Sequence, residues 1–151
     1  MRQNEILKKS KEVLEASEKI AEYGCYFMSL CYAGFNEVAE RKRELIYSEI
    51  LADYEEFVEA DIIDEDCFVK HPTDILRYYT GEEWTVKKSL ELDTNADIAI
   101  ALWYNKRTNF HHFVLMNNDG TVRWDPILNS KTVEEGVIES WRLFYKGKKE
   151  E

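Results

Sequence analysis

The sequence predicts an α+β domain in which an N-terminal helical layer packs on a C-terminal antiparallel β-sheet. Apolar residues recur at three- and four-residue steps up to position 81, and β-forming segments follow from position 84 onward. The segment NNDG at 117–120 separates two strand-like runs and is typical of a hairpin turn. Because 151 residues are the size of one domain and no linker or repeat divides them, we expect a single domain over residues 1–151.

Helical segments are predicted along the first half of the chain. Residues 4–22 carry apolar side chains at helical spacing among Lys and Glu, as an amphipathic helix requires. Residues 25–33 are almost all apolar and predict a buried helix that ends at Gly34. Residues 36–69 indicate one or two more helices with an acidic outer face, and residues 71–81 indicate a short helix between a proline and a glycine.

Strands are predicted along the second half. Residues 84–92 partly alternate between apolar and polar side chains, and residues 97–105 are apolar almost throughout, which is typical of a strand buried on both faces. Two strands flank the turn in HHFVLMNNDGTVRWDPI, and residues 137–145 supply a last strand before a charged tail.

The charge of the chain bears on its partners and its location. Thirty acidic residues against twenty basic ones give a formal net charge of −10, which repels phosphate groups. We therefore expect neither a nucleic-acid partner nor a membrane partner. The first twenty residues lack the apolar run of a signal peptide and no later segment has the length of a membrane span, so we expect a cytoplasmic protein.

The three cysteines indicate a reducing compartment. Cys25, Cys31 and Cys67 form neither an even set for disulfides nor a C-x-x-C metal pair. We expect no metal and no organic cofactor. Cys31 lies in the middle of an apolar helix, where packing in the core explains it best, and Cys67 has no sequence context that points to a role.

Three residues form a candidate catalytic constellation: Cys25 directly after a glycine at a helix start, His112 in the strand HFVLM, and Asp125 after the strand VRW. Unpaired backbone N–H groups and the macrodipole at a helix start favour a thiolate, so a cysteine there is a candidate nucleophile. A histidine within reach would take the thiol proton, and a carboxylate would orient the imidazole. That division of roles is the logic of a catalytic triad.

Local structure alone predicts that His112 and Asp125 are neighbours. They lie on either side of the NNDG turn, so antiparallel pairing brings them nearly opposite each other. His111 and His112 are adjacent and point to opposite faces of a strand, so only one of them can face the cysteine. A metal site made of His111, His112 and Asp125 lacks the spacing of known ligand sets.

These motifs resemble the papain-like cysteine peptidases, most closely the bacteriocin-processing, C39-like branch. The shared features are Gly-Cys at the head of a buried helix, a later HFVLM strand and a WDP segment, in this order over residues 20–130. The resemblance implies a papain-like fold and a peptidase or amidase that acts through a thioester on a peptide or protein, without a cofactor. It also implies that Cys25 is the nucleophile, that His112 rather than His111 is the general base and acid, and that Asp125 is the orienting residue.

Two positions depart from the pattern of that family. The family has a glutamine a few residues before the cysteine that donates to the oxyanion, whereas SEKIAEYG contains none, and Lys19 takes the nearest position. Tyr26 follows the cysteine where small residues are usual. Together with Gly24 and Trp124, these two residues make up the expected surroundings of the oxyanion and the substrate.

Three hypotheses for the function stay open at this point. The first is an active hydrolase, and the second is a catalytically impaired papain-like protein that binds a peptide or protein partner, which the missing glutamine motivates. The third is an unrelated acidic α+β interaction module whose partner contacts the helices between residues 37 and 66. In that case Cys25 is a core residue, and Asp125 is a turn former before Pro126.

Overall fold

The structure, a computed structural model, describes residues 24–37, 47–126 and 131–147. The helix expected over residues 4–22, which includes Lys19, lies outside the described residues. Within them the expected α+β order is confirmed, since helices precede a five-stranded antiparallel sheet. The elements are α1 (Cys25–Asn36), α2 (Tyr47–Glu59), α3 (Pro72–Thr80), β1 (Trp84–Ser89), β2 (Ile98–Asn105), β3 (Phe110–Met116), β4 (Val122–Trp124), α4 (Lys131–Glu135) and β5 (Val137–Lys146).

The five strands form one sheet in the order β1-β5-β2-β3-β4, and every neighbouring pair is antiparallel. The first strand is shorter than the sequence predicted, because Ser89 is its last residue paired with β5. The Ser89 hydroxyl donates to the Glu91 carbonyl at 2.8 Å and accepts the Glu91 N–H at 3.1 Å. This turn takes the chain out of the sheet and leaves Leu90 exposed.

Both faces of the sheet are covered at its centre, which explains the unbroken apolar run of β2. Ile98 and Ile100 are buried on one face in a cluster with residues of the three longer helices. Ala99 and Ala101 are buried on the other face in a second cluster, against which Val133 of α4 packs. A strand covered on both faces has no position where a polar side chain reaches water.

Gly34 does not end α1 as the sequence predicted, because the helix continues to Asn36. Gly34 is buried against α3, where a Cβ atom would lie 3.2 Å from both Cβ and Cδ2 of Tyr79. The glycine allows the two helices to approach closely and does not serve as a left-handed cap. Gly81 does end α3 as predicted, with a φ of 72° that a glycine adopts without strain.

The interpretation of Cys31 as a core residue is confirmed. Its side chain is fully buried in the cluster between the helical layer and the sheet. Burial raises the pKa of this thiol well above its ordinary value, so Cys31 stays protonated and unreactive.

We expect Gly34→Val to lower the free energy of unfolding by about 1–3 kcal/mol, because the new side chain has no space beside Tyr79. Urea unfolding followed by circular dichroism measures the change. The matched control is Ala52→Val at an exposed position of α2, where only the lower helix propensity of valine acts and the loss stays below about 1 kcal/mol. Equal losses in the two variants would contradict the packing explanation.

Candidate active site

Cys25 is the first residue of α1, as the glycine before it predicted. Gly24 precedes the helix with φ −89° and ψ 11°, and its carbonyl accepts the Met28 N–H at 2.7 Å. In the part of the chain that the structure describes, no side chain caps this end of the helix. The backbone N–H groups of the first turn are therefore available to another acceptor.

The thiol of Cys25 lies at an open edge of the sheet. β4 pairs with β3 only through Leu115 and Met116, so no residue of β4 pairs with Phe113. The Phe113 N–H donates to Sγ of Cys25 at 3.5 Å instead, across 88 positions of sequence. The Tyr26 ring stacks on the Phe113 ring with their centroids 4.4 Å apart, which fixes the first turn of α1 against β3.

His112 and Asp125 are in direct contact, as the hairpin predicted. Nε2 of His112 lies 2.5 Å from Oδ1 of Asp125. The His112 side chain is 1% exposed and that of Asp125 is 16% exposed, so the pair is largely shielded from water. A shielded, charge-assisted hydrogen bond of this kind fixes both the orientation and the tautomer of the imidazole.

A one-residue bulge in β4 determines which face of the hairpin Asp125 occupies. Met116 pairs with Val122, but Leu115 pairs with Trp124, so Arg123 is an extra residue on β4. Continued in that register, position 125 falls opposite position 114, on the face that also carries His112. The two residues are therefore offset by two positions along the hairpin, in agreement with the expectation that they lie nearly opposite each other. Without the bulge Asp125 would share the face of Phe113, and bulges commonly re-aim a side chain in this way.

The second ring nitrogen of His112, Nδ1, is buried and forms no hydrogen bond with the described residues. The N–H of the next residue, Phe113, donates to Sγ of Cys25. Burial acts to lower the pKa of His112, but the interactions of the ring with Cys25 and Asp125 outweigh it. The pKa of His112 therefore lies above its ordinary value of 6.5, which favours an imidazolium beside the sulfur.

His111 points away from this site. Its Nε2 lies 3.1 Å from Oε2 of Glu139, and its ring packs on the Tyr104 ring with centroids 4.6 Å apart. Its side chain is 48% exposed, against 1% for His112. Of the two adjacent histidines, the one selected by the family resemblance contacts Asp125 and directly precedes the residue whose N–H donates to Cys25.

A cleft with a volume of about 620 Å³ opens beside Cys25. This size is in the range of pockets that hold a small molecule or a few residues of a peptide. Its wall combines aromatic and aliphatic side chains with one cation and one carboxylate. The lining residues are Cys25, Tyr26, Asp66, Cys67, Phe68, Val69, Phe113 and Arg142.

Half of the cleft wall comes from a loop that the sequence interpretation assigned to a helix. α2 ends at Glu59, and a bridge between Ile63 and Val69 closes a turn of the chain. Oδ1 of Asp64 accepts the N–H groups of residues 66 and 68 at 2.8 and 3.0 Å. A short aspartate side chain that captures the following N–H groups is a sequence signal for such a turn. The position of Arg142 in the cleft has no local signal, because only the sheet places it there.

Of the other expected site positions, Gly24 and Tyr26 lie next to the thiol, whereas Trp124 lies elsewhere. Gly24 precedes the thiol in the helix cap, and Tyr26 lines the cleft with its ring turned onto Phe113. Trp124 is not among the residues that line the cleft. Its ring stacks on that of Tyr32 with centroids 4.4 Å apart, so it holds β4 against α1.

A family model described as a protein of unknown function, DUF261, matches residues 5–146, which include Cys25, His112 and Asp125. The chain belongs to the DUF261 family. No curated protein and no solved structure is significantly similar to this DUF261 chain.

Two further findings concern the described part of the DUF261 chain. Its helices are all too short or too polar to cross a bilayer. Residues 24–37, 47–126 and 131–147 contain no cluster of three or more His, Cys, Asp or Glu side chains that could hold a metal ion.

We expect Asp125→Asn to lower the pKa of His112, because the hydrogen bond and charge of Asp125 both raise it. Titration of the imidazole protons by NMR measures the shift. Since the pKa in the folded protein is raised, protonated His112 stabilises the fold below pH 6.5, and this contribution is lost as the pH rises through the raised value.

The matched control is Glu139→Gln, which removes a carboxylate from His111 and leaves the surroundings of His112 intact. The pKa of His112 should not change in this variant. An unchanged pKa of His112 in Asp125→Asn would show that the carboxylate does not stabilise the imidazolium.

Proposed function

We propose that this DUF261 protein is a papain-like cysteine hydrolase, a peptidase or amidase that acts through a thioester intermediate. The observation that carries the proposal is the environment of His112. Its Nε2 is bound to Asp125 at 2.5 Å, its Nδ1 is buried without a hydrogen bond in the described chain, and the N–H of the next residue, Phe113, donates to Sγ of Cys25 at 3.5 Å. A nucleophile, a base and an orienting carboxylate in this arrangement support acyl transfer.

In the proposed reaction, Nδ1 of His112 takes the proton of Cys25, and the thiolate attacks the carbonyl carbon of the amide. The C–N bond breaks as the imidazolium returns the proton to the leaving amine, and the acyl group stays on Sγ as a thioester. Water then attacks the thioester while His112 takes one of its protons, and the thiol and a carboxylic acid are released. Asp125 keeps the ring in the tautomer with the proton on Nε2.

The start of α1 supplies the donors for the oxyanion in this proposal. Its first-turn N–H groups lack a side-chain cap and adjoin the thiol, and the helix dipole favours negative charge there. The family's glutamine is missing from residues 17–24. Loss of one oxyanion donor costs about 10²–10³ in turnover, so we expect slow hydrolysis.

The missing glutamine favours one second candidate, a protein of the same fold that binds a peptide in the cleft without turning it over. For this candidate, Cys25→Ala leaves peptide binding unchanged, and the wild-type protein releases no product. Two contacts support both papain-like candidates over the unrelated acidic interaction module: His112 is bound to Asp125, and the N–H of the adjacent Phe113 donates to Sγ of Cys25.

We expect iodoacetamide to alkylate Cys25 faster than Cys31 and Cys67, because Cys25 is only partly buried and lies at the cleft, whereas the other two thiols are buried. His112→Ala should lower the rate for Cys25, because the group that takes the thiol proton in the proposed reaction is lost. Peptide mapping by mass spectrometry gives the rate for each cysteine.

His111→Ala is the matched control, since it removes the adjacent histidine that points away from the sulfur. The rate for Cys25 should stay at the wild-type value in this variant. If Cys25 is inert in the wild-type protein and in His112→Ala alike, the hydrolase proposal fails and peptide binding becomes the better candidate.

A further inference from the structure

Arg142 of β5 lines the same cleft as Cys25 and has most of its donors free for a ligand. Its Nη1 donates to the Ser140 hydroxyl at 3.0 Å and to the Trp141 carbonyl at 3.4 Å. Nε and Nη2 have no acceptor among the described residues, and no carboxylate there forms an ion pair with Arg142. A guanidinium carries five N–H donors, so several remain available to a ligand.

The position of Arg142 is fixed by the residue that also contacts the thiol. The guanidinium carbon lies 5.5 Å from the centre of the Phe113 ring, and the Phe113 N–H donates to Sγ of Cys25. Stacking on an aromatic ring orients the planar guanidinium while its edges stay open for hydrogen bonds. The charge of Arg142 also reaches Tyr26 across the cleft, where it opposes the effect of burial on the pKa of that phenol.

An arginine without a carboxylate partner is informative in a protein with a net charge of −10. Asp66 is the other charged residue of the cleft wall, and it is exposed. Arg142 differs in this respect from Lys70, Arg107 and Lys146, which pair with Asp61, Glu135 and Glu37.

The rest of the cleft wall is apolar. The rings of Tyr26 and Phe113 form one part of it, and Phe68 and Val69 of the neighbouring loop form another. Phe68 is 67% exposed, so its ring is accessible to a ligand in the cleft. A ligand that matches this wall has an apolar group beside an anionic one.

We propose that the cleft binds a peptide in which a carboxylate follows an apolar residue, and that Arg142 receives the carboxylate. This inference rests on the proposed function for the cleft and specifies its substrate class. A guanidinium with a free edge accepts a carboxylate through two parallel hydrogen bonds, and the apolar wall holds the preceding side chain. The carboxylate can be a peptide C-terminus or an acidic side chain, and both fit the same chemistry.

The test compares two matched peptide pairs in the Cys25→Ala variant of the 151-residue chain, where nothing is cleaved. Acetyl-Leu-Phe is compared with its C-terminal amide, and acetyl-Leu-Phe-Asp-amide is compared with acetyl-Leu-Phe-Asn-amide. Affinities are measured by NMR titration at low salt, because screening weakens exposed charge pairs. In at least one pair, we expect the acidic member to bind about tenfold more tightly than the neutral one. The pair that shows the difference identifies the source of the carboxylate.

Arg142→Gln in the same background should bring this affinity ratio to about one, while Arg142→Lys should retain part of it because the charge stays in place. Arg77→Gln is the matched control, since it removes one positive charge from an exposed position of α3, outside the cleft. It should leave the ratio unchanged. Circular dichroism confirms that each variant is folded.

The inference is overturned if neither acidic peptide binds more tightly than its neutral partner, or if Arg142→Gln preserves the ratio. An equal fall of the ratio in Arg77→Gln also overturns it, because the net charge would then be the cause. Since binding is measured without the thiol, its outcome is separate from the alkylation of Cys25. Selective binding combined with an inert Cys25 would keep this inference and reject the hydrolase.

Discussion

The hydrogen bond between the Phe113 N–H and the Cys25 sulfur is the interaction on which the rest of the site depends. It exists because β4 pairs with only the last two residues of β3, which leaves the edge of β3 open at Phe113. Cys25, the first residue of α1, lies at that edge. Its sulfur accepts the hydrogen bond that a neighbouring strand would otherwise accept. The stacked rings of Tyr26 and Phe113 keep the helix there, and both rings pack against the buried cluster.

The same hairpin supplies the other two groups. His112 precedes Phe113 and so belongs to the opposite face of the strand, while Asp125 reaches that face only because Arg123 bulges out of β4. A regular hairpin would present the carboxylate on the wrong side. The site therefore combines a helix start, an open strand edge and a bulge. At each of these places, a backbone or side-chain group lacks the partner that it would have in a regular helix or sheet.

The positive charges near the thiol contrast with the negative net charge of the whole protein. The chain has an excess of ten acidic residues, yet the pKa of the His112 imidazole is raised, and the cleft wall holds an arginine without a carboxylate partner in the described residues. Screening by salt limits the effect of each charge to its immediate neighbourhood. A local positive charge can therefore favour an anionic group at that position even though the whole protein is negative. The apolar walls of the cleft exclude water, which strengthens the interactions of these charges with a ligand.

The sequence by itself determined the α+β order, the hairpin at NNDG, the end of α3 at Gly81 and the contact between His112 and Asp125. Each of these depends on residues close together in the chain, where periodicity and turn chemistry act. The role of Gly34, the loop that lines the cleft and the place of Arg142 were decided only by the tertiary structure. Their causes are contacts with other elements, such as Tyr79 on α3 and Phe113 on β3. Local patterns fix what a segment becomes, but the packing of distant segments fixes which side chains meet.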